Sequence, residues 1–549
     1  MKKPDMSTMT LREKVAQTLL VRMSDLLLKA DTAYDELRDP SEAKKILDEN
    51  QFGGIWAHGN IDVNGMSKRY DGYFNFTSES MVKWIEDNTK DMKIPPICAN
   101  DAFGKISYSD LSEVIDGLIV GAANSEEYAY ELGKCFAEEH KATGLNWIWS
   151  PNVDILNRFA AGVVRPFTNF KDQQIALSTA FIKGMQSVGF AATAKHFPGP
   201  DAKETRDSHI VPTNNSTPLD EWEKEQGAIF QAAIDCGVCA IMVGARTYPA
   251  MDDTKIGEHY MPIGLSEKAL LGKLKGEMGF EGVIITDDVN MGGFTSVYGA
   301  DELYGRFLAA GNDMLLGVSV DAVDKVMNCI EKGIVTEERI NDACRRVLEM
   351  KEKVGLFDDD YSRKYGNLEE LKARTAELTA KIARDGITLL RDNIGLLPMK
   401  KKINHVTIFT YTHADHVYGT MEAMKQAFNE RGAEVTLKKR PESYQEIEEA
   451  AEKSDLIIYA GYIAFHEPKG APSFYGDEFW ALRYAFTAGK EKSIGISLGY
   501  PYIHYYFMDD AEVFVNLYRP HEAVLKAFVA AVYGESEFKG VAPLNMNMD

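Results

Sequence analysis

Between Phe52 and Phe357, short and almost continuously apolar runs alternate with longer stretches of helical apolar spacing. The runs are Gly54–Ala57, Pro96–Ala99, Trp147–Trp149, Ala192–Ala194, Ala240–Val243, Val283–Ile285 and Met314–Leu316. Between them lie segments such as EEYAYELGKCFAEEH and SEKALLGKLKGEMGF, whose apolar residues recur at helical spacing. Strands without a polar face belong to a parallel sheet covered by helices on both sides. Roughly seven or eight strand–helix units in about 300 residues is the size of a (β/α)8 barrel. The helix INDACRRVLEMKEKVGLF closes this region. Ahead of it, Leu11, Val15 and Leu19 recur every four residues, which predicts one amphipathic helix across LREKVAQTLLVR.

The stretch 358–374, DDDYSRKYGNLEELKAR, is charged and poor in apolar residues, and reads as a linker that wraps rather than packs. Strand–helix alternation then resumes with His405–Phe409, Leu456–Tyr459, Ile494–Leu498 and Val513–Asn516. The expected organisation is therefore a barrel domain over 1–357, a linker over 358–375 and a three-layer α/β/α sandwich over 376–549.

A chain of 549 residues exceeds what one core supports, in keeping with two domains. The net charge of -22 argues against a nucleic-acid or anionic-membrane partner, both of which call for clustered Lys and Arg. The first residues lack the apolar run of a signal peptide, no stretch has the length of a membrane span, and six cysteines are scattered along the chain, so a reduced cytoplasmic setting is expected. Cys236 and Cys239 have redox or zinc spacing, but no second pair accompanies them, and their entry into the apolar run AIMVGA points to packing.

In a parallel barrel, chemistry sits where strands end and their following loops begin. That rule selects three places. KHFPGPDAKETRDSH, from Lys195 to His209, directly follows an apolar run and holds two histidines, two lysines and three carboxylates. Thr286-Asp287-Asp288 ends another run in adjacent carboxylates, and Ser150-Pro151-Asn152-Val153-Asp154 follows a third, with Arg165-Pro166-Phe167 beyond it. Neighbours on a strand face opposite ways, so Asp287 and Asp288 are expected to do different jobs, one at the mouth and the other pairing a cation, anchoring a loop or capping a helix. In an extended segment Asp207 and His209 would share a face, and the carboxylate would hold the ring and stabilise its protonated form. Lys195 and His196 suit a polyhydroxylated ligand, or equally a surface lysine beside a packed histidine. A carboxylate nucleophile with a separate acid/base is the arrangement for retaining glycoside hydrolysis.

These segments resemble glycoside hydrolase family 3, in the branch of β-N-acetylglucosaminidases of bacterial cell-wall recycling. LREKVAQTLLVR resembles the family's first helix and QFGGIWA its first strand, and SPNVDILNR with VRPFTN resembles the segment bearing a sugar-binding arginine. GFEGVIITDDVNMGG resembles the nucleophile motif, and DGITLLRDNIGLLP, SLGYPY and FKGVAPLNM the second domain. The resemblance implies Asp287 as nucleophile, His209 as acid/base assisted by Asp207, and Lys195, His196, Arg165 and Asp101 as sugar-binding residues. It implies an exo-acting β-N-acetylhexosaminidase with a carbohydrate substrate and no metal or organic cofactor. Three departures stand out. Asp101-Ala102-Phe103-Gly104-Lys105 keeps only the Asp of the family's D-x-E-G-G, the loop from Gly199 to Asp207 is slightly longer than the family pattern, and Ala245 and Arg246 stand where a family histidine is expected.

Three further readings stay open. Phosphate could replace water as acceptor, giving a phosphorylase, since an imidazole does not repel it as a carboxylate base would. The altered Asp101 segment could mark a non-catalytic sugar-binding protein. His196, His209 and Asp287 are also ligand types that suit zinc.

Overall fold

The computed structural model describes residues 2–28, 38–57, 76–101, 110–115, 117–156, 158–201, 203–204, 206–463 and 473–546. The chain forms two compact units. The first comprises 1–114, 129–154 and 178–375, and the second 115–128, 155–177 and 376–549.

The first unit is a barrel of eight parallel strands: β1 (Leu19–Arg22), β2 (Gly54–Trp56), β3 (Ile97–Asn100), β4 (Trp147–Ile148), β5 (Thr193–Phe197), β6 (Ala240–Val243), β7 (Val283–Asp288) and β8 (Met314–Val318). The hydrogen-bonded order β4-β3-β2-β1-β8-β7-β6-β5 leaves one seam, between β4 and β5. There Thr193 N donates to Ser150 O at 2.8 Å and Val153 N to Lys195 O at 2.8 Å, which closes the ring. Its core includes Leu20, Ile97, Trp147, Trp149, Met242, Ile285 and Met314. Met350, Val354 and Leu356, from and just after the helix Glu337–Lys353, belong to the same cluster.

One predicted element divides in two. The four-residue apolar period from Leu11 to Leu19 spans a helix, Leu11–Gln17, and then β1. Thr18 closes the helix, and the next residues pair on both sides, Leu20 with Gly54 of β2 and with Leu316 of β8. Leu19, Leu20 and Val21 are all fully buried, which only a strand with neighbours on either side and packing on both faces achieves. The first barrel strand is therefore Leu19–Arg22 rather than the QFGGIWA run, which supplies the second.

Beneath the strand N-termini, two buried cations bond to oxygens that carry no charge. Lys351 Nζ donates to Gln17 Oε1 at 2.6 Å and to Pro95 O at 2.8 Å. Arg363 donates to Gly144 O at 2.9 Å and Pro96 O at 3.1 Å. The stretch 358–374, expected to wrap without packing, thus turns Arg363 inward, and Tyr361 joins it by accepting from Asn146 Nδ2 at 2.8 Å. A guanidinium can bury itself against carbonyls where the local sequence offers little apolar surface.

The second unit holds a six-stranded sheet of an α/β/α sandwich: β9 (Thr388–Asp392), β10 (His405–Tyr411), β11 (Glu434–Lys439), β12 (Leu456–Gly461), β13 (Ser493–Ser497) and β14 (Val513–Asn516), in the order β9-β14-β13-β12-β10-β11. Only β9 runs antiparallel to its neighbour. The two edge strands, β9 and β11, are the ones the apolar pattern misses, because half-exposed edges carry charge, as in EVTLKK. Segments 115–128 and 155–177 join this unit by bonding to its tail, with Asn169 N donating to Pro543 O at 3.1 Å and Val541 N to Ala122 O at 3.0 Å. No helix among the described residues is long and apolar enough to cross a membrane. All six cysteines are free thiols, and burial pushes the Cys236 thiol up to about 11.

Burial pulls the Lys351 amine down from its usual 10.5 to about 7. The unfolded chain then binds a proton that the folded chain refuses between those values, so this group makes stability rise with pH from about 7 and lowers it below. Lys351→Met is expected to flatten that rise by roughly 2 kcal/mol between pH 7 and pH 9, read from urea unfolding of both proteins at the two pH values.

Candidate active site

Because all eight strands are parallel, their carboxyl ends meet at one mouth, whatever their distance in sequence. β5 ends there in Lys195-His196-Phe197. Lys195 is buried, and its Nζ donates to Asp101 Oδ1 at 2.7 Å across the mouth. Asp101 follows β3, where Asn100 Oδ1 accepts from Asp101 N at 2.8 Å and from Trp56 Nε1 at 3.2 Å. A buried ammonium needs such a partner, and the pair offers donors and an acceptor side by side for hydroxyl groups.

His196 is held by Asp154, which follows β4. The His196 backbone N–H donates to Asp154 Oδ1 at 3.0 Å, and Nδ1 lies 2.8 Å from Oδ2. Burial pushes the Asp154 carboxyl up, but the His196 imidazole and Arg246 outweigh it and hold the group at about 2. Burial also lowers the His196 ring from its usual value, against the pull of Asp154. The ionised carboxylate requires a proton on Nδ1, so the neutral ring presents Nε2 as an acceptor. That nitrogen lies 3.9 Å from Asp287 Oδ2.

Asp287 and Asp288, at the end of β7, do diverge. Asp288 pairs with Arg22 and accepts from Asn290 N and Nδ2 at 3.0 Å each, so it carries two of the three expected structural jobs, cation pairing and loop anchoring. Met291 rather than Asp288 is the N-cap of the following helix. Arg22 also lies 5.4 Å from the centre of the Trp56 ring. Gly317, at φ +78°, makes room for this pair: a Cβ there would stand 2.9 Å from both Arg22 Nε and Asp288 Oδ1. Asp287 Oδ1 accepts from Asp288 N at 2.9 Å, while Oδ2 faces His196.

Asp207 and His209 do form a pair, with Nδ1 2.6 Å from Asp207 Oδ1. The segment is not extended, however. Ile210 N and Val211 N both donate to Asp207 O at 3.1 Å, and His209 N donates to Asp207 Oδ1 at 2.9 Å. An aspartate that captures the N–H two residues on closes a turn, and the turn brings ring and carboxylate together. The His209 side chain is half exposed while Asp207 is largely covered, so Nε2 is the ring's outward edge.

Six of the seven residues expected at the site lie in the barrel unit: Asp101, Lys195, His196, Asp207, His209 and Asp287. Arg165 follows the 3-10 turn Ala161–Val164 and falls in segment 155–177 of the second unit. The departure at Ala102–Lys105 lies outside the described residues. His196, His209 and Asp287 do not gather around a point, and no group of three His, Cys, Asp or Glu among the described residues could hold a metal ion.

Sequence reasoning passed over Asp154, although it ends the SPNVD run that the strand-end rule selects. Arg246 was noticed only as a replacement. Its guanidinium and His196 pack over the same glycine: a Cβ on Gly244 would stand 3.2 Å from His196 Cβ and 3.8 Å from Arg246 Cζ. Arg246 Nη1 is buried without a hydrogen-bond partner.

The barrel is that of a glycoside hydrolase. Residues 10–350 match the model of the glycosyl hydrolase family 3 N-terminal domain, and the chain belongs to that family. It is 25% identical over 456 residues to a β-N-acetylglucosaminidase/β-glucosidase of Cellulomonas fimi, covering 79% of this chain and 80% of that one. It is 30% identical over 246 residues to a β-hexosaminidase of Stenotrophomonas maltophilia (strain K279a), covering 43% and 70%. Among solved structures, the β-glucoside phosphorylase BglX bound to 2FGlc shares the fold with a TM-score of 0.82 at 23% identity, covering 98% of this chain and 95% of that one. A family 3 β-N-acetylglucosaminidase from Paenibacillus sp. str. FPU-7 does so at 0.80 and 21%, covering 99% and 100%.

Asp154→Asn should keep the fold but let His196 take the other tautomer, with Nε2 protonated. The expected result is a loss of roughly 100-fold in kcat/KM on an aryl β-glycoside. An unchanged value would remove the acceptor role from His196.

Proposed function

We propose that the protein is a retaining, exo-acting β-N-acetylhexosaminidase that works by double displacement. The observation carrying this reading is the Asp207–His209 pair, 2.6 Å apart, on the loop after the strand that supplies Lys195 and His196. The names of the curated relatives from Cellulomonas and Stenotrophomonas support the substrate class.

In the first displacement, an Asp287 oxygen attacks the anomeric carbon as the bond to the leaving oxygen breaks. His209 Nε2–H gives its proton to that oxygen, and the aglycone departs as an alcohol. In the second, His209 Nε2 takes a proton from water, whose oxygen attacks the anomeric carbon and releases Asp287 as a carboxylate. Asp207 keeps the proton on Nδ1 and stabilises the imidazolium in both directions. Lys195, Asp101 and the acceptor Nε2 of His196 bind the hydroxyls of the non-reducing sugar. The free thiols accord with a reducing, cytoplasmic setting.

A second reading is phosphorolysis. Arg246 favours it, because a guanidinium beside His196 with an unpaired Nη1 suits an anionic acceptor in place of water.

The deciding measurement is turnover of 4-nitrophenyl β-N-acetylglucosaminide, β-glucoside and β-xyloside, each with and without phosphate. Preference for the acetamido sugar with free sugar as product is the expected result, and sugar 1-phosphate would move the assignment to phosphorylase. Asp287→Ala should lower kcat by about 10⁴-fold or more. His209→Ala should lower kcat/KM by about 100-fold for a phenyl leaving group and by less than about 10-fold for 2,4-dinitrophenyl.

A further inference from the structure

The loop that carries Asp207 and His209 is fastened at several of its described residues. It leaves from β5, and its return limb, Thr213–Asn214, pairs in parallel with Arg246–Thr247 beyond β6. Inside it, Asp201 accepts from Ser216 N at 2.6 Å and from Lys203 N at 2.7 Å. At the crest the attachment is to the segment that follows Asp287. Gly292 N donates to His209 O at 2.9 Å, and Gly293 N to Ser208 O at 3.2 Å.

Neither glycine has a positive φ, so backbone freedom does not account for them. Close approach does. A Cβ on Gly292 would stand 2.3 Å from Ile210 O and 3.2 Å from His209 O. On Gly293 it would meet Ala245 O at 2.4 Å, and Ala245 Cβ and Ser208 O at 3.0 Å. A side chain at either position would hold the crest away from the strand end.

We infer that Gly292 and Gly293 latch the His209 turn onto the strand that supplies Asp287, and that they are positioning residues for proton transfer. The inference rests on the acid/base reading of His209 given above. Asp287 is tied to the latch by a short, bonded path. Val289 N donates to Leu316 O at 3.1 Å and Met291 N to Asp288 O at 3.0 Å, so the glycines cannot drift from the strand end. The spacing of nucleophile and acid/base is then set by this path rather than by the long loop from β5. Spacing of that kind governs rate steeply, since a displacement of about 1 Å costs on the order of 100-fold.

The two glycines differ in what they report. Gly293 abuts Ala245, a buried residue at the end of the β6 wall, so a side chain there disturbs the barrel as well. Gly292 abuts the carbonyl of Ile210, an exposed residue, so its clash is relieved by lifting the turn. Gly299, with nothing within 4 Å of an added Cβ and a φ of -64°, is the matched control.

The experiment compares the full-length wild type, Gly292→Ala, Gly299→Ala and His209→Ala. It reads kcat/KM on phenyl and 2,4-dinitrophenyl glycosides of the best-turned-over sugar, and amide hydrogen exchange of the segment around Ser208–Val211. Gly292→Ala is expected to lose about 10-fold or more on the phenyl glycoside and less than about 3-fold on the dinitrophenyl one. Exchange in the segment should quicken, while the thermal midpoint stays within about 3 °C. Gly299→Ala should match wild type on every readout. Unchanged exchange in Gly292→Ala, or equal losses on both glycosides while His209→Ala separates them, overturns the latch and leaves His209 as acid/base. Equal losses in His209→Ala instead overturn the acid/base reading, and faster exchange in Gly292→Ala would then still support the attachment.

Discussion

A carboxylate as deeply buried as Asp154 persists only if donors replace the water it has lost. His196 supplies two, its backbone N–H and its ring Nδ1, and both point into Asp154 from the end of β5. The same place is the seam of the barrel. β4 is only two residues long and meets β5 through scattered backbone bonds rather than a full ladder. The Asp154–His196 contact therefore staples the ring closed where its strands hold it least, and fixes the direction of His196 as it does so. Lys195 sits one residue earlier and Asp287 lies 3.9 Å from His196 Nε2, so the geometry of the mouth follows from this pair.

Buried cations of the barrel are satisfied in two ways. Lys351 and Arg363, beneath the strand N-termini, rest on carbonyl and amide oxygens, which satisfy donors without introducing a counter-charge, whereas Lys275 and Arg339 share the buried Asp313 just before β8. At the mouth four groups have a carboxylate: Asp101 for Lys195, Asp154 for His196, Asp207 for His209, Asp288 for Arg22. Carbonyl and amide oxygens take up no proton at any pH of interest, so these partners cannot tune a proton transfer. Carboxylate-paired imidazoles can gain and lose a proton while the carboxylate holds the ring in register, which is what acid/base chemistry needs.

The barrel was legible because seven of its strands are buried on both faces and so read as unbroken apolar runs. β1 was not, since Leu19 happens to continue the four-residue period of the helix before it, and periodicity cannot see that Leu20 has partners in β2 and β8. The edge strands β9 and β11 escaped for the opposite reason, as their exposed side dilutes the apolar signal. At the mouth, the strand-end rule found Lys195, His196 and Asp287 without any partner in view. Asp154 had the same signal but lacked a second polar neighbour in sequence to draw notice, because its partner lies 42 residues on. The Asp207–His209 pair was foreseen and its conformation was not, since a two-residue spacing fits an extended strand and an aspartate-closed turn equally well.

That turn separates two properties which a rigid site would merge. The bonds joining Asp207 to His209 all lie within three residues, so the carboxylate stays with its ring wherever the loop goes. Attachment at Gly292 and Gly293 decides only where the pair stands relative to the strand end. Loosening the attachment therefore costs reach and leaves the ring with its partner, whereas removing Asp207 would do the reverse.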